Sequence, residues 1–113
     1  GAEAAVEALL SSKNHPTILF TSNNDMLLAV LRVVGRLSIQ IGKDLSLISF
    51  DDSPWAAAMS PSITVIARPV DELGRQAVDM LLKQIGAGKV SDSLVLPTEL
   101  IVRDSVRKIP VKK

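Results

Sequence analysis

The run LSLISFDDSPWA, residues 45–56, decides how this chain folds. Its LISF segment is a continuous apolar stretch, the pattern of a strand covered on both faces rather than on one. It then meets two adjacent carboxylates, Asp51 and Asp52, a Ser-Pro pair and the chain's single tryptophan, Trp55. In an open parallel sheet the carboxyl ends of the strands face a crevice, where polar side chains emerge without crossing the core. A buried strand that finishes on two charges therefore predicts such a sheet.

The neighbouring segments alternate to match. TILFTS (17–22) and SITVIA (62–67) read as two more short strands, and SLVLPTELIVRDS (93–105) as extended, with Pro97 marking an edge position or a break. AEAAVEALLS (2–11) has a helical composition, and the polar SKNHP that follows ends it. Ser22, Asn23 and Asn24 offer N-cap side chains to the helix MLLAVLRVVGRL (26–37). Pro69 suits the first turn of VDELGRQAVDMLLKQI, which Gly86 and Gly88 stop. The predicted fold class is α/β, a parallel sheet flanked by helices. Residues 1–105 form one lobe in this reading, and 106–113 a basic C-terminal tail.

Composition narrows the function. At 113 residues, 47% hydrophobic and 22% charged, the chain is long enough for a core and too apolar for disorder. A net charge of +1, with the basic excess in the final RKIPVKK, does not suggest nucleic-acid binding. Cysteine is absent, which fits a cytoplasmic location, and the one histidine, His15, has no companion for a metal site. No apolar run approaches the roughly 20 residues of a membrane span, and no signal peptide opens the chain. Beginning on Gly1 within a helical pattern suggests a processed or excised piece.

Each strand end carries a polar group: Asn23 after TILFTS, Asp51 after LISF, Arg68 after TVIA. An amide, a carboxylate and a guanidinium on one rim suit a polyhydroxylated ligand, because the carboxylate accepts hydroxyl hydrogens while the amide donates and accepts. Trp55 stands beside them as a ligand platform or a wall of local core. Asp52 is either part of that rim or a cap for a short helix in PWAAAM, and Asn23 is also a good helix cap. On the helix 26–37, Met26, Leu27, Val30, Val33, Val34 and Leu37 make one apolar face, and Leu28 falls roughly 150° from its centre. Leu28, with Leu31 on the shoulder and Gly35 nearby, predicts a second contact surface.

The order of short motifs completes the reading. PTILFTSNNDMLLAVLRVVGRL, then IGKDLSLISFDD, SPSITVIARP, DELGRQAVDMLL and LVLPTELIVRDS follow one another as the corresponding motifs do in the C-terminal part of the effector-binding domain of LacI/GalR-family bacterial regulators, which this chain resembles from about residue 16 to 105. The resemblance implies a truncated C-terminal lobe of a type I periplasmic-binding-protein-like fold that senses a small effector, a sugar or related molecule. It also implies a cytoplasmic homodimeric repressor that is no enzyme, needs no cofactor, and meets operator DNA through a separate helix-turn-helix domain absent here. Asn23 and Asp51 match the family's ligand contacts, Arg68 lies where a further contact is expected, and Leu28 and Met59 match subunit-contact positions. Two residues depart from the pattern: Asn24 stands where the family has Asp, and Ser49 where it has Gly. With the N-terminal lobe and the first strand and helix of this lobe missing, the chain is expected not to bind DNA specifically and to bind ligand weakly. Two alternatives stay open: a transporter's sugar-binding protein with the same lobes, and a magnesium-dependent phosphoacceptor built on Asp51 and Asp52.

Overall fold

The computed structural model describes residues 1–88 and 93–109. The order is α1 (Ala2–Leu10), β1 (Ile18–Thr21), α2 (Asn24–Arg36), β2 (Ser46–Phe50), α3 (Pro54–Ala58), β3 (Thr64–Ala67), α4 (Val70–Ala87) and β4 (Glu99–Ile101). The sheet runs β1-β2-β3-β4, and β1 with β2 and β2 with β3 are parallel, as the alternation of strands and helices requires. The chain divides into two compact units, Gly1–Ala67 with the stretch from Leu100 onward, and Arg68–Glu99.

In the first unit α2 determines the packing. Leu27, Ala29, Val30, Val33 and Val34 are buried while Met26 and Leu37 are half-covered, so the apolar face read from the 3.6-residue period is the face that packs. These side chains join Val6 and Leu10 of α1, Leu45 and Leu47 around β2, Ala56 of α3, and Ile63 and Val65 by β3. Each fully buried leucine or valine here contributes about 1.5–3 kcal/mol relative to exposure. The β1–β2 register pairs Leu19 with Leu47 and Thr21 with Ser49, which puts these four on one face of the sheet. Phe20, pointing the other way, is 56% exposed.

Several predicted boundaries contract for identifiable reasons. β3 starts at Thr64 rather than 62 because the Ile63 N–H donates to the Ala56 carbonyl and Ser62 bonds Asp104, taking both residues out of the ladder. Of the extended stretch 93–105 only Glu99–Ile101 is strand, at the sheet edge, two residues beyond Pro97. Residues 103–105 leave the strand to bond across β2 and β3. Ser105, fully buried, accepts from Thr64 N–H at 2.8 Å and donates to the Leu47 carbonyl at 2.5 Å. Gly42 permits this course: its φ is +84°, and a Cβ there would lie 2.5 Å from the Asp104 carbonyl oxygen. Within the expected tail, the Arg107 N–H donates to Ser46 Oγ at 3.0 Å, whereas residues 110–113 fall outside the described part.

The second unit is built on α4. Asp71 and Glu72 in its first turn complement the helix dipole, and Gly88, at φ +67°, closes its end in the left-handed conformation that glycine adopts without steric cost.

Candidate functional site

The parallel register places the first two predicted contacts together. Thr21 and Ser49 are Cα partners, and Asn23 and Asp51 each stand two residues beyond them, so both emerge at the carboxyl ends of adjacent strands. Below this rim the Thr21 hydroxyl donates to Ser49 Oγ at 2.8 Å, with both residues buried. The departure from the family's glycine at Ser49 therefore supplies a hydrogen-bonded hydroxyl pair rather than an unsatisfied group.

Asn23 is extended and its Oδ1 accepts from the Met26 N–H at 2.9 Å, so it caps α2 as its residue type predicts. The cap uses the carbonyl side of the amide and orients the exposed side chain beside the strand end. Asn24 follows as the first helical residue, with its Oδ1 buried and lacking a hydrogen-bond partner among the described residues. An aspartate there would bury an unpaired charge, which costs far more than a neutral amide.

Asp51 has φ +80°, a conformation most side chains avoid and Asp and Asn tolerate best. The backbone is held there by its N–H, which donates to the Ile66 carbonyl at 2.8 Å, continuing the β2–β3 pairing one residue past the strand. Strained residues that the surrounding structure over-determines cluster at binding sites. Asp52 has a different role. Both its carboxylate oxygens accept from Arg103, at 2.9 and 3.0 Å, and Arg103 also donates to the Ile63 carbonyl at 3.0 Å. The carboxylate holds the guanidinium pKa above its ordinary value, against partial desolvation. The reading of Asp52 as a cap of α3 is thus corrected: Ser53 is the N-cap residue, it makes no side-chain cap bond, and Asp52 is occupied by an ion pair.

Trp55 is half-buried and packs against the core cluster, which fits the wall-of-core alternative. Arg68 is exposed and opens the second unit, and its backbone carbonyl accepts from Val70 N–H. Among the predicted contact residues, Leu31 and Met59 line one groove of about 430 Å³ together with Gly35, Pro61 and Ile63. Leu28, one turn before Leu31 on α2, is 42% exposed. Arg103 and Ser105 had no assigned role in the sequence reading. The available signal was the Asp-Asp pair itself, because a cation beside two adjacent carboxylates relieves their mutual repulsion.

Comparison with known proteins bears on these geometries. Residues 1–106 match the family of periplasmic binding protein-like domains. The chain is 36% identical over 107 residues to the HTH-type transcriptional repressor CytR of Escherichia coli, covering 94% of this chain and 31% of CytR. It superposes on a LacI family transcriptional regulator from Bifidobacterium animalis with TM-score 0.82 and 35% identity, covering 94% of this chain and 39% of that one. It also superposes on a LacI family regulator from Enterococcus faecium solved with bound ribose, with TM-score 0.84 and 25% identity, over 97% of this chain and 40% of that one. Across the curated relatives it spans 31% to 52% of their length. The chain belongs to the periplasmic-binding-protein-like domain family, in the form that LacI-family regulators carry as their effector-binding part.

Proposed function

We propose that this chain is the effector-sensing lobe of a transcriptional repressor, and that its ligand is a sugar or a closely related polyol. The observation that carries the reading is Asp51: a carboxylate on strained backbone, at the carboxyl end of a parallel strand, level with the Asn23 amide. Asp51 accepts ligand hydroxyls and Asn23 adds its amide hydrogens, while Trp55 belongs to the wall of local core. The relative solved with ribose supports the choice of ligand class. Asp52 pairs with Arg103, which gives that carboxylate to the scaffold and weighs against a magnesium phosphoacceptor built on both aspartates.

Operator DNA is contacted in this reading by a helix-turn-helix domain outside this chain, in a homodimer. Leu28, Leu31 and Met59 form the subunit contact, where Leu31 and Met59 offer an apolar groove and Leu28 an exposed leucine beside it. The test is operator binding by the intact regulator in a panel of pentoses, hexoses and nucleosides. A single compound that shifts operator affinity at least tenfold supports the reading. Operator binding that no member of the panel alters contradicts a sugar-like effector.

A further inference from the structure

A second hollow lies at the opposite end of the first unit. α1 and α2 run antiparallel to the strands, so their C-terminal ends and the start of β2 meet at the amino end of the sheet. There they enclose a space of about 570 Å³, within the usual range of small-molecule sites. Its floor is apolar, made of Leu10, Leu37, Ile39 and Leu45. Its mouth carries Lys43, Arg107, His15 and Asp44. The backbone fixes these groups in place. The Lys43 and Asp44 N–H groups donate to the Gln40 carbonyl, and the Arg107 N–H to Ser46 Oγ. His15 Nδ1–H donates to the Pro16 carbonyl at 3.2 Å, leaving Nε2 as the ring nitrogen available to a ligand. The one acid, Asp44, is already engaged, with Oδ2 accepting from the Gln40 N–H at 2.9 Å. Neither Lys43 nor Arg107 forms an ion pair among the described residues.

We propose that this hollow binds a small organic acid, a carboxylate carried on an apolar body, at a site separate from the Asn23–Asp51 rim. The leucine and isoleucine floor takes the body, and Lys43 and Arg107 take the carboxylate through charge-assisted hydrogen bonds. The competing explanation is that the two cations complement the negative ends of α1 and α2. That role predicts an effect on stability without any ligand.

Titrating the full chain with benzoate while following backbone amide shifts separates these explanations. Benzyl alcohol serves as the uncharged body and inorganic phosphate as the bodiless anion. The expected result is saturable benzoate binding with shifts centred on Leu10, Leu45 and Arg107, and weaker binding of both controls. Lys43→Gln and Arg107→Gln, both at exposed positions, should each weaken benzoate by about tenfold while leaving shifts remote from the hollow unchanged. The proposal is overturned by any of four results: no saturation with benzoate, equal affinity for either control, unaltered affinity in both variants, or shifts centred on Asn23 and Asp51.

Discussion

Replacing Arg103 with glutamine should unlock the end of β2 from the C-terminal segment. The wild-type guanidinium makes two bonds to Asp52 and a third to the Ile63 carbonyl, with side-chain exposures of 16% for Arg103 and 30% for Asp52. Breaking a fully buried ion pair costs about 3–5 kcal/mol, and an exposed one about 0–1 kcal/mol. Asp52 can partly rehydrate once its partner is gone, so the expected loss lies between, at about 2–3 kcal/mol. Arg103→Lys keeps the charge but not the two-pronged geometry, and should lose about 1–2 kcal/mol. Equilibrium urea unfolding of the wild type, Arg103→Gln, Asp52→Asn and the double variant closes a cycle whose coupling energy should be about 1–2 kcal/mol. A coupling below about 0.3 kcal/mol, with the midpoints of both single variants near wild type, would show that the pair does not hold the strand end.

Other substitutions probe the same scaffold and the proposed contact surface. Ser105→Ala strands the buried Thr64 N–H and the Leu47 carbonyl, and thermal unfolding should register a loss of about 1–3 kcal/mol. Gly42→Ala drives a Cβ onto the Asp104 carbonyl at positive φ, and should cost more than about 1 kcal/mol by urea titration; a neutral result would mean the 40–45 turn shifts freely. Leu28→Glu should convert a dimer of the intact regulator to monomer in sedimentation equilibrium with little change in melting temperature. Unchanged association would remove Leu28 from the interface.

The legible parts of the fold were those written in local pattern. The α2 face was visible because the 3.6-residue period selects Leu27, Val30, Val33 and Val34, and the strands because apolar runs stop at turn residues. Asn23 as a cap followed from its residue type and place. What stayed hidden depends on distant pairing. Arg103 reaches Asp52 across 51 positions and Ser105 reaches Leu47 across 58, and no periodicity records such contacts. The two adjacent aspartates illustrate the division. Sequence reading identified a polar strand end, but only the fold shows that Asp52 pairs with Arg103 and that Asp51 sits on positive-φ backbone just past the strand. The positive φ of Asp51 in turn has no sequence signal beyond the tolerance of aspartate for it.

That separation of roles can be measured by calorimetric titration of the intact regulator with its effector, comparing Asp51→Asn with Asp52→Asn and recording the melting temperature of each. Asn tolerates positive φ nearly as well as Asp, so Asp51→Asn should melt with the wild type while binding effector about 1.5–3 kcal/mol more weakly, roughly tenfold to 150-fold. Asp52→Asn should do the reverse, melting earlier and binding within a few-fold of wild type. Wild-type affinity in Asp51→Asn, or a melting temperature lowered in that variant alone, would make Asp51 a structural residue and contradict its role as the ligand acceptor.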